Sequence, residues 1–188
     1  MTITYSGTKR IKSLKAVKKV ALNLTNPTTG QIICSDGKNY DANAMLPTGV
    51  TKVAMIAYVV GKNGLAIQLN STPVEKNWAG AIAYAEGLNT SIPFDGGTWR
   101  MPSKANWQTM IYGCSKNGDS SPSDRMNTIV GFKEKVAATG TTLHSNLHWT
   151  STENSSVCFG LNDGDSYAYF YNTGPASYEY KVLGCLVF

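Results

Sequence analysis

No stretch of this 188-residue chain is long and apolar enough to cross a bilayer as a helix, which takes about 20 consecutive residues, so no membrane span is expected. No secretory leader is expected either. A leader needs an unbroken apolar run and a small-residue cleavage site, and residues 17–24 are interrupted by Lys18, Lys19 and Asn23. Cysteine is sparse and unpatterned: Cys34, Cys114, Cys158 and Cys185 show no C-x-x-C spacing, which excludes a zinc ribbon or a dithiol redox motif. The four read as buried free thiols, with one long-range disulfide as the alternative in an exported protein. Histidine is scarcer still. His144 and His148 stand at i, i+4, but Gly140, Thr141 and Thr142 before them and Trp149 and Thr150 after them read as loop leading into strand, so no metal pair and no cofactor are expected.

Acid is absent from the start of the chain. Residues 1–20 hold six of the 17 basic residues (Lys9, Arg10, Lys12, Lys15, Lys18 and Lys19) and none of the 12 acidic ones, so the pI of about 9.0 describes an arm. Clustered lysine can release counterions from phosphate, yet the arm lacks the aromatic interleaving of a nucleic-acid platform. Residues 1–29 are read as a solvated arm or one that docks a partner subunit, with no nucleic acid involved. The remaining 30–188 fit one domain, large enough that a chain of this size buries roughly 70% of its unfolded surface without disulfide or metal.

Within that domain, Gln31 to Cys34 reads as a strand closed by the Ser35-Asp36-Gly37 turn, and residues 53–60 and 65–69 as a hairpin around Gly61-Lys62-Asn63-Gly64. A first helix is expected to start at Ser71-Thr72-Pro73, to face Trp78, Ile82 and Ala85 inward and to stop at Gly87. A second follows a Ser103 cap, with Trp107, Met110 and Ile111 buried and Gly113 as terminator. A third spans about 123–138 on the spacing of Met126, Ile129, Val130, Val136 and Ala137. Short strands close the chain at 157–161, 167–171 and 178–188. Strands, then helices, then strands indicate an α+β fold.

The final forty residues hold the candidate site. Tyr167, Tyr169, Tyr171, Tyr178 and Tyr180 are crowded among Ser, Asn, Asp and Gly, and tyrosine offers a large, stiff, amphipathic contact at low entropy cost. Strand alternation puts Tyr167, Tyr169 and Tyr171 outward and Ala168 and Phe170 inward.

Five segments in order resemble a known family. Gln31-Ile-Ile-Cys-Ser-Asp-Gly, Lys62-Asn-Gly-Leu-Ala-Ile, Trp99-Arg-Met-Pro-Ser, Trp149-Thr-Ser-Thr-Glu and the terminal Val182 to Phe188 spacing are similar to G-x-I-L-C-x-D-G, G-L-A-I, G-W-R-L-P-S, Y-W-S-S-T-E and V-R-x-V-x-x-F of bacterial C-type-lectin-like domains. Within that superfamily the tyrosine-rich end resembles the variable proteins of diversity-generating retroelements, in bacteria or phage. Their diversified codons, of NNC type, cannot encode Lys, Glu, Gln, Met or Trp, and residues 154–180 contain only Glu179 of these.

The resemblance implies a C-type-lectin-like fold with two or three helices on small antiparallel sheets, Trp99 and Trp149 as packing anchors, and a non-enzymatic ligand surface after Glu153. Carried over residue by residue, that surface is Ser155, Ser156, Asp163, Asp165, Ser166, Tyr167, Tyr169, Tyr171, Asn172, Ser177, Tyr178 and Tyr180, with His148 added where the family has Tyr. The implied partner is a protein or surface glycan. Calcium-dependent sugar binding is not implied, since Glu-Pro-Asn, Gln-Pro-Asp and Trp-Asn-Asp are absent. The alternatives are a static adhesin or a pilus or tail-fibre tip module, and an enzyme similar to formylglycine-generating enzymes that would use Cys158 and Cys185.

Overall fold

The computed structural model describes residues 17–70, 72–115, 125–126, 129–143, 146–152, 157–161, 168–172 and 176–188, with backbone alone at 125, 126, 146, 157–161, 169, 171 and 172. The chain opens with β1 (Val20–Ala21), β2 (Ile32–Cys34), β3 (Asn39–Tyr40), β4 (Lys52–Val60), β5 (Asn63–Gln68) and β6 (Val74–Lys76). Its middle is α1 (Trp78–Ser91), β7 (Phe94–Asp95), β8 (Thr98–Arg100), α2 (Lys104–Cys114), β9 (Arg125–Met126) and α3 (Val130–Ala138). It closes with β10 (Asn146–Trp149), β11 (Val157–Leu161), β12 (Ala168–Asn172), β13 (Tyr180–Val182) and β14 (Cys185–Val187). The class is α+β, as expected: helices pack on one sheet of order β3-β2-β4-β5-β14-β8 and a second of order β6-β13-β10-β11-β12-β9. No helix among the described residues is long and apolar enough to cross a membrane.

The arm is shorter than its charge suggested, because residues from 20 onward join the fold. β1 pairs in parallel with β7, and Val20, Leu22 and Leu24 pack beside Ile33, Phe94 and Trp99. In the first sheet, β4 and β5 meet through a two-residue turn, Gly61-Lys62, where Gly61 takes a φ of 62° that other residues rarely adopt. Gly64 is already strand, kept bare because a Cβ there would lie 2.5 Å from the Phe188 ring.

The helix boundaries depart from the local cues. Pro73 precedes edge strand β6, not a helix, and α1 starts at Asn77, whose Oδ1 accepts from the Gly80 N–H at 2.8 Å. Proline is tolerated beside an edge strand as readily as at a helix start, so the cue was ambiguous. Gly87 does not end α1, which runs on to Ser91. In α2, Ser103 caps as expected, in a reciprocal box with Asn106, and Trp107, Met110 and Ile111 are buried. Gly113 lies inside α2, where a Cβ would meet the Ala57 carbonyl oxygen of β4 at 2.5 Å. α3 starts only at Val130; Met126 belongs to β9, and the buried stripe is Ile129, Phe132 and Val136, while Val130 is exposed.

The expected last strand is two strands in different sheets, β13 in the second and β14 in the first, joined across Leu183 and Gly184. Gln68 holds this crossing: its Oε1 accepts from the Gly184 N–H at 2.9 Å and its Nε2 donates to the Tyr84 hydroxyl at 2.9 Å. Trp99 and Trp149 anchor as implied, both buried, their indole N–H groups donating to the carbonyls of Ile92 and Lys76 at 2.9 and 2.7 Å. Cys34, Cys114 and Cys185 are buried free thiols; the Cys158 side chain lies outside the described residues.

Candidate binding surface

Register in the second sheet fixes which residues share a face. His148 pairs with Phe159 and Phe159 with Phe170, so positions 148, 159 and 170 lie on one side. Trp149, Cys158 and Tyr171 are in register on the other side, together with Leu147, Gly160 and Tyr169. The first side is interior. Ala168 is fully buried and Phe170 nearly so, in a cluster with Trp107, Ile129 and Phe132. The Lys104 ammonium lies 6.0 Å from the centre of the Phe170 ring. The inward phase expected for Ala168 and Phe170 is therefore observed. Tyr169, Tyr171 and Asn172 belong to β12 by their backbone, with side chains outside the described residues, and Ser155, Ser156, Asp163, Asp165, Ser166 and Tyr167 lie wholly outside them.

His148 is a correction. It is 1% exposed and its ring packs edge-on to Trp107, with centroids 5.8 Å apart. Both faces of β10 are covered: α2 brings Trp107 against His148, and α1 packs Ala81 and Ala85 in the cluster of Trp149. A side chain in that position belongs to the core and is not available to a surface ligand.

The residues around 178 behave differently. Ser177 is exposed, Tyr178 is 52% exposed, and Tyr180 is half-buried. Tyr180 stands edge-on to Trp149 at 4.7 Å, and Tyr178 meets Tyr180 at 6.2 Å with their planes at 89°. Because Lys181 is in register with His148, Tyr180 falls on the opposite side, the side of Trp149 and position 171. Beside Tyr180 a shallow cleft of about 200 Å³ is lined by Glu75, Leu147, Glu179 and Lys181, none of them foreseen. Glu75 was hidden by the reading of a helix start at Ser71-Thr72-Pro73; in the fold it lies across from Lys181.

The segment before the surface is clamped from both helices. Trp78 Nε1 donates to the Thr150 carbonyl at 2.9 Å, the Ser151 N–H donates to Pro102 at 3.0 Å, and the Lys104 N–H donates to Thr152 Oγ1 at 2.8 Å. No family model, curated protein or solved structure matches this chain. Its chemistry must then be argued from the side chains themselves. Burial pushes the Cys114 and Cys185 thiols up to about 12, so near neutral pH both stay protonated, opposite to what a nucleophilic cysteine needs. Among the described residues no group of three or more His, Cys, Asp and Glu is placed to hold a metal ion.

Proposed function

We propose that this protein is a non-enzymatic ligand-binding protein, a C-type-lectin-like scaffold displaying a diversified Tyr/Ser/Asp-rich surface for adhesion or receptor recognition, with a protein or surface glycan as its ligand. The burial of Ala168 and Phe170 carries this reading. With those two filling the inner side of β12, the two-residue period of a strand gives the other side to positions 169 and 171. By register, position 171 shares a side of the sheet with Trp149, the buried residue on which Tyr180 rests and through it the exposed Tyr178. A rigid base under exchangeable side chains is what recognition by loops and strand faces requires.

Replacing Tyr167, Tyr169 and Tyr171 together by alanine is expected to abolish retention on a glycan array and on intact bacterial cells, while stability to denaturant changes by less than about 1 kcal/mol. Collapse of the fold in that variant would sink the assignment. At the nucleotide level, a nearby near-copy of the codons for 148–188 that differs at adenines, beside a reverse-transcriptase gene, is expected; absence of both removes the diversified part of the reading and leaves a static adhesin.

A further inference from the structure

Phe188 lies at the far end of β14 from the crossing at Gly184, exchanging backbone hydrogen bonds with Gly64 beside the β4–β5 turn. A cleft of about 230 Å³ opens here, lined by Leu22, Leu24, Pro27, Lys62, Gly96 and Phe188. It adjoins a more open recess of about 420 Å³ that includes Thr25, Asn26 and Gly61. Neither shares a lining residue with the tyrosine-rich surface.

The backbone beside the cleft is an interrupted ladder. The N–H groups of Val20 and Leu22 donate to the carbonyls of Pro93 and Asp95 at 3.2 and 2.9 Å, forming the parallel pair with β7. The alternate residues bond the other way: the Asn23 N–H donates to Gly37 at 2.9 Å, and Thr25 exchanges hydrogen bonds with the Asn39 side chain at 2.8 and 3.0 Å. Residues 20, 22 and 24 thus turn their backbone groups toward β7. The pairing stops at Asp95, where Gly96, at a φ of 87°, turns the chain away. Leu24 is next in line, and its N–H and C=O find no hydrogen-bond partner among the described residues. A strand edge left open in this way is a template for another extended segment.

Charge selects the occupant. Lys62 forms no ion pair with a described carboxylate, and no acidic side chain lines the cleft or the recess. The chain's own start brings lysines and no acid in residues 1–20. We propose that the cleft docks an extended acidic segment of a partner protein, which adds as a strand beside Leu24, lays an apolar side chain on Leu22 and Phe188, and places a carboxylate on Lys62.

The full chain titrated against a fluorescein-labelled heptapeptide of alternating glutamate and valine should give a saturable rise in anisotropy at submillimolar concentration. Amide exchange at Leu24 should slow when the peptide is added. Lys62→Glu, a substitution at an exposed turn, should weaken binding about tenfold or more, and the matching lysine–valine peptide should bind the wild type at least about tenfold more weakly. No saturation, equal binding of both peptides, or indifference to Lys62→Glu overturns the proposal. A Lys62-sensitive dimer in sedimentation overturns it in favour of a second copy. A Leu24 amide already protected in the free chain, and released by deleting residues 1–16, overturns it in favour of the chain's own start. The alanine variant at Tyr167, Tyr169 and Tyr171 should bind this peptide like the wild type, which keeps the test separate from that of the tyrosine surface.

Discussion

β4 and β5 of the first sheet and β12 of the second differ in the pattern of their described buried positions. In the first, β4 and β5 are buried at consecutive positions, 53–57 and 64–68: Met55, Ala57, Leu65 and Ile67 face the cluster of Trp107 and Phe132, while Ala54, Ile56 and Ala66 face that of Trp99 and Phe94. In the second, β12 commits Ala168 and Phe170 to the interior, and its sequence alternates small or apolar with tyrosine. A strand covered on both faces fixes every side chain, whereas one covered on a single face leaves alternate positions open to change without disturbing the core.

The comparison breaks most severely at Trp107, which both sheets share. Its side chain is fully buried, packs in one cluster with Met55 of the first sheet and meets His148 of the second edge-on. Trp107→Ala is expected to cost about 3–5 kcal/mol by denaturant titration, in one transition seen alike by fluorescence and circular dichroism. A cost under about 1 kcal/mol, or two separate transitions, would mean that the sheets do not share a core.

The next effect belongs to the closed sheet and to α2 beneath it. Burial raises the thiols of Cys114 and Cys185 from an ordinary 9.0 to about 12. Above pH 9 the unfolded chain loses these protons while the folded chain keeps them, so stability should fall as pH rises from about 9 toward 12 and be independent of these groups below that window. The slope contributed by each thiol is up to about 1.4 kcal/mol per pH unit. Cys185→Ala should be less steep than the wild type across the window by about that amount; equal slopes would show that Cys185 is open to solvent.

Legibility in the sequence followed the range of the interactions involved. Ser103 was recognisable as a cap because its partner, Asn106, is three residues away, and the inward phase of Ala168 and Phe170 because alternation is local. His148 was misread because its burial depends on Trp107, which arrives from a helix distant in sequence, and the start of α1 was misread because whether Pro73 opens a helix or precedes an edge strand is decided by β13. The open edge at Leu24 had no local signal at all, since it follows from where β7 ends. Tyr178 and Tyr180 looked alike in the sequence, and only Trp149 distinguishes them.

That last distinction gives the smallest expected effect and the sharpest test of the surface. Tyr180 is held against Trp149 in the cluster under α1, an aromatic contact of the kind worth about 0.5–1.5 kcal/mol beyond the area it buries. Tyr178 has Tyr180 on one side and is 52% exposed, so about half of it stays in water on folding. Tyr178→Ala should therefore change stability by less than about 0.5 kcal/mol, while Tyr180→Ala should cost clearly more. If Tyr178 belongs to the binding surface, its loss must appear in ligand retention without appearing in the melting curve. Equal costs for the two substitutions would make both tyrosines part of the support, and the displayed surface would then have to stop short of residue 178.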